Sequence, residues 1–82
     1  MEHNGFPKDI VITCKNREQA NQVFDLLEQS YSIVANDALR ELDDKQWRGG
    51  CILIHNFLVG FMLKSSGEKY DDPVVKAEDI LG

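Results

Sequence analysis

The chain has 82 residues, 43% hydrophobic and 28% charged, and 14 carboxylates against nine Lys and Arg give a formal charge of −5 and a pI near 4.8. That length holds one domain and that composition a folded one, while the acidic balance argues against a general phosphate-neutralising surface and so against direct nucleic-acid binding. A domain this small hides only about 60–65% of the surface its unfolded chain exposes, so self-association or a partner is a natural source of further stability.

Residues 1–7 are polar, carry Asn4-Gly5 and Pro7, and read as a tail or lead-in turn. They lack the basic and apolar regions of a secretory signal, and the first apolar run, Ile10 to Ile12, is short, so a cytoplasmic protein is expected. Residues 8–15 are rich in β-branched side chains and form the clearest strand. Asn16 stands where an N-cap belongs, with Gln19 in a variant of the capping box, and Ala20, Val23, Phe24 and Leu27 follow at helical spacing, which predicts a helix over 17–30.

Residues 31–35 fit either a strand or an extension of the helix stripe; a break near 30–36 is favoured. A second helix capped by Asn36 or Asp37 would then run through Ala38, Leu39 and Leu42 to end before Gly49-Gly50. Residues 51–63 are the most apolar stretch, yet too short and too interrupted by His55 and Asn56 to cross a membrane as a helix of about 20 residues. They read as two strands, 50–55 and 57–64, turning at His55-Asn56; a single buried helix is the competing reading. After a loop over 65–71, Asp72 and Pro73 look like the cap and first turn of a terminal helix whose Val74, Ala77 and Leu81 share a face.

Few residues suggest chemistry. His3, Cys14, Cys51 and His55 could in principle hold zinc, but the paired short spacings of structural zinc sites are missing, so no metal and no other cofactor is expected and the cysteines read as free, packed thiols. No nucleophile elbow, phosphate-binding loop or dinucleotide fingerprint occurs, and Ser65-Ser66-Gly67 reads as a turn, so an enzyme is not expected. Trp47-Arg48 beside Gly49-Gly50 sets an aromatic and a cation where a partner could be clasped, against the plainer reading that Trp47 covers one end of the core. Carboxylates gather as Asp37, Glu41, Asp43 and Asp44, then as Glu68, Asp71, Asp72, Glu78 and Asp79. They read as a patch for a basic protein surface, as a mimic of nucleic-acid phosphates, or as a solvated face with acids at helix starts.

The order β-α-α-β-β-α predicts a small two-layer α+β domain over residues 8–82, with helices packed on one face of a largely antiparallel sheet. The strands at 50–64 are apolar on both faces and few elements remain to cover the second, so that face or an exposed edge is expected to form a homodimer or protein-partner interface, with contacts at Trp47, Arg48, Asp37, Glu41, Asp43, Asp44, Phe57 and Phe61. The function expected is that of a small acidic protein-binding module, an adaptor or inhibitor of a macromolecular partner. Such a job is common among small proteins of bacteria and their phages, which is a base rate and not something the residues carry. A small-molecule or metal sensor is the first alternative and a nucleic-acid mimic the second.

Overall fold

The computed structural model describes residues 5–63 and 72–81. His3, the expected loop over 65–71, Glu68 and Asp71 lie outside the described residues. In chain order the elements are β1 (Ile10–Thr13), α1 (Arg17–Tyr31), α2 (Asp37–Arg40), α3 (Asp44–Arg48), β2 (Gly50–His55), β3 (Leu58–Leu63), β4 (Val74–Lys76) and α4 (Ala77–Leu81). The strands form one sheet in the order β3-β2-β1-β4, antiparallel except that β4 runs parallel to β1. This is the small α+β domain expected, with helices against one face of a mixed sheet.

Local chemistry explains most boundaries. The Asn16 side chain accepts from the Gln19 N–H at 2.9 Å, satisfying a donor of the first turn of α1, and the Gln19 side chain accepts from the Lys15 N–H at 2.7 Å, fixing the chain as it enters the helix. At its end, Ser32 adopts φ 57°, and its own N–H and that of Ile33 both return to the Leu27 carbonyl. Replacing Asn16 with Ala removes one of these caps; the expected cost is about 1 kcal/mol, seen as a lower thermal midpoint with unchanged far-ultraviolet dichroism at 20 °C.

The expected second helix is instead two short ones. Asp43 caps a new start, accepting from the Gln46 N–H at 2.8 Å while Gln46 accepts from the Asp43 N–H at 2.9 Å, and this complete capping box breaks the stripe after Arg40. The hairpin turns one residue later than expected, at Asn56-Phe57, with φ of 51° and 65°. Positive φ at both central residues makes this a type I′ loop, whose twist matches its strands. The terminal segment departs most: Val74–Lys76 is a strand beside β1, and the helix begins only at Ala77.

Pairing places Ile10, Ile12, Ile52, Ile54, Val59 and Phe61 on one face of the sheet, since opposed residues share a face and neighbours alternate. Against them lie Ala20, Val23, Phe24 and Leu27 of α1, Trp47 of α3 and Ala77 of α4, the main core. Phe6 joins it through Tyr31, ring centroids 4.7 Å apart, so the lead-in is not wholly a polar tail. Val11, Cys51, Leu53 and Met62 make a second, smaller cluster on the opposite face, where Val11, Cys51 and Met62 are already buried within the chain, so this face is not the open interface expected and only the edge remains. Cys14 and Cys51 are both buried and unbridged; the first belongs to the main core and the second to the small cluster. Cys51 and His55 lie four residues apart on an extended strand, a spacing of about 13 Å, too far to share an ion.

Candidate functional site: the β3 edge of the sheet

The two edges of the sheet are built differently. Edge strands expose unpaired N–H and C=O groups, and proteins commonly protect them with shortness, proline or lysine. β4 has all three devices: it is three residues long, follows Pro73 and carries Lys76. β3 has none of them. It is six residues long, Leu-Val-Gly-Phe-Met-Leu, with no charged residue or proline and no other described strand on its outer side. Leu58 is 73% exposed and Leu63 55%, while Phe57, Val59 and Phe61 are half-buried.

The turn fixes which backbone groups point outward. A two-residue type I′ loop closes on a hydrogen-bonded pair, here His55 and Leu58, so Leu58, Gly60 and Met62 direct their N–H and C=O groups toward β2. By alternation, Val59, Phe61 and Leu63 direct theirs away from the sheet. The same alternation carried across β2 to β1 aims the Val11 N–H at the other edge, where it meets the Pro73 carbonyl at 2.8 Å.

The strand is held firmly. The Phe57 N–H donates to the Lys8 carbonyl at 3.1 Å, and Asp9 accepts from the Asn56 N–H at 3.0 Å and lies 2.9 Å from His55 Nδ1. A bulky aromatic at positive φ is strained, and glycine is the usual occupant of that turn position. At mid-strand, the Phe61 ring meets the edge of Trp47 at a centroid distance of 5.2 Å and lies over Gly50.

The residues singled out from the sequence divide into three groups. Phe57 and Phe61 lie at the hairpin and on β3, within the site. Trp47 is 0% exposed, so its side chain is core and not a contact; its neighbour Arg48 is exposed and pairs with Asp44 at 2.7 Å. Of the first acidic group, Asp43 caps α3, and Asp44 accepts from the Arg17 N–H at 3.0 Å as well as pairing with Arg48. Asp37 and Glu41 remain exposed on α2 and its C-cap, with no ion pair among the described residues. Arg40 does not serve that group: it bridges Asp25 at 2.9 Å and Glu28 at 3.1 Å, fastening α2 to α1. Sequence reasoning missed Leu58 and Leu63, for which the signal was the uncharged run from Asn56 to Leu63.

A cavity of about 210 Å³ lies elsewhere, lined by Thr13, Cys14, Lys15, Gln19, Lys76 and Glu78. It falls below the roughly 300–1,000 Å³ of small-molecule sites. Lys15 spans it to Glu78 at 2.9 Å, and this hydrogen bond and charge hold the Glu78 carboxyl below its ordinary 4.5. A depressed folded-state value means the pair stabilises above the unfolded pKa and is lost as pH falls through the folded one. Lys15→Met is expected to return the Glu78 titration, followed by NMR, toward 4.5, with little change in stability because both groups are exposed.

Among the described residues no three His, Cys, Asp or Glu side chains are grouped to hold a metal ion, and no helix is long and apolar enough to cross a membrane. In comparisons with known proteins, no family model, no curated protein and no solved structure matches the chain.

Proposed function

We propose that this protein is a protein-binding module that works as an adaptor or inhibitor, engaging its partner along the outer edge of β3. One observation carries the reading: β3 is a six-residue edge strand without charge or proline, flanked by Leu58 and Leu63 at 73% and 55% exposure, on a sheet whose other edge is short and carries lysine. Main-chain groups on such an edge supply affinity by strand addition, and alternate side chains supply specificity.

The test compares wild-type protein with a Leu58→Glu and Leu63→Glu double variant as baits in an extract of the native host. Both positions are exposed, so the variant should fold. The expected result is a partner retained by wild type and lost from the variant. Equal retention by both would remove β3 as the contact.

A further inference from the structure

Resting on that reading, we infer that until a partner displaces it the β3 edge is occupied by a second copy of this chain, paired antiparallel about a two-fold axis at Phe61, so that self-pairing and partner binding compete for one strand. The alternation of the strand sets the geometry. In an antiparallel pair, residues that direct backbone groups at the seam must oppose one another, and in β3 these are Val59, Phe61 and Leu63. Two identical strands oppose residues whose numbers have a constant sum. Centring on Phe61 sets Phe61 against Phe61 of the second copy and Val59 against its Leu63, and vice versa, so every outward N–H and C=O is paired. Centring on Gly60 instead would leave Leu63 without a partner inside the strand. The sheet then continues through both copies, and the helical layers lie on the same side because opposed residues share a face.

The side chains agree with the backbone. Val59, Phe61 and Leu63 occupy the helix-facing side of β3, all are at least partly exposed, and this register packs them against each other across the seam. On the other side Gly60 comes opposite Met62, with open space where a Gly60 Cβ would stand. Charge argues the same way: each copy carries −5, so two copies meet most easily along a segment without carboxylates, and β3 is such a segment. A strongly basic partner would find its complement at Asp37 and Glu41 instead. A seam one six-residue strand long is small beside the roughly 1,200 Å² and more of stable interfaces, so the dimer is expected to be transient and to form as concentration rises.

Sedimentation velocity over a concentration series tests this, together with distance measurement between nitroxides on a Leu58→Cys variant. The native thiols Cys14 and Cys51 are buried, so labelling goes to position 58. The expected result is a shift from monomer to dimer with rising concentration. About 20 Å should separate the two labelled backbones along the strand direction, because residue 58 lies six residues from its copy in this register. Leu63→Pro removes an outward N–H without touching the bonds to β2, and should remain folded but monomeric; Leu63→Lys is the second variant, should proline unsettle the strand. Wild type that stays monomeric, a dimer that survives both variants, or a different label separation would overturn the inference. A strict monomer that still captures a host protein through β3 removes only the second copy as occupant, whereas a monomer that captures nothing removes the proposed contact as well.

Discussion

Trp47→Ala is expected to unfold most of the protein at 37 °C. Trp47 is the largest fully buried side chain, 0% exposed, and joins the layers by meeting Phe24 of α1 and Phe61 of β3 edge-on at 5.6 and 5.2 Å. Truncating a buried tryptophan costs about 3–5 kcal/mol, comparable with the whole net stability of a domain this small. Among the described residues its buried indole N–H has no hydrogen-bond partner, and an unpaired buried donor of this kind costs about 1–3 kcal/mol. Trp47→Phe therefore loses bulk but also sheds an orphan donor, and should be much the milder change. Urea titration followed by circular dichroism checks both. Arg48→Ala, one residue on and exposed, should leave the midpoint nearly unchanged. Loss of binding in a Trp47 variant would therefore report loss of the fold and not of a contact.

Gly50→Ala is the second large effect, and its closest collision is with the Phe61 ring. A Cβ at position 50 would stand 2.1 Å from Phe61 Cε2 and 2.5 Å from Phe61 Cζ, with the Gln46 carbonyl 2.9 Å away. The ring has little room to retreat, because its other side is set against Trp47. Overpacking of this kind costs about 1–3 kcal/mol, or on the order of 10 °C in thermal midpoint for a domain of this length. A double-mutant cycle identifies the cause: in a Phe61→Leu background the ring is absent, so Gly50→Ala should cost far less than in the wild type. Equal cost in both backgrounds would place the strain at the Gln46 carbonyl instead.

Much of this architecture can be read locally. The β-branched run of β1, the Asn16 cap and the stripe Ala20, Val23, Phe24, Leu27 are signals contained within a few residues, and the structure follows them. The division of the second helix is also legible, since Asp43 and Gln46 stand three apart as a capping box requires, although the apolar stripe through Leu39 and Leu42 runs across it. Two features were not legible. Val74–Lys76 becomes a strand only because Val11 and Thr13, some sixty residues earlier, offer an open edge; locally, Asp72-Pro73 reads as a helix start. Phe57 holds a positive φ that its side chain disfavours, and the tertiary bond from its N–H to Lys8 helps hold it there.

The site was half legible for the same reason. The apolarity of residues 51–63 points to the segment that carries the proposed edge, with Phe57 and Phe61 within it. Which side of that segment remains open depended on sheet order, since only pairing of β2 with β1 and of β4 with β1 leaves β3 outermost. Trp47 was singled out by residue type, as an aromatic enriched at interfaces, but its position behind Phe61 makes it the support of β3 and not part of its surface.

Hydrogen exchange of individual β3 amides, followed by NMR at low and high protein concentration and with a bound partner, tests the role of this edge most directly. In the isolated chain, the amides of Gly60 and Met62 should be protected by β2 and those of Val59, Phe61 and Leu63 should exchange quickly. On association, with a second copy or another protein, Val59, Phe61 and Leu63 should slow at least tenfold while amides elsewhere on the surface stay as they were. Association that leaves those three exchanging at their free rates would contradict a contact at β3.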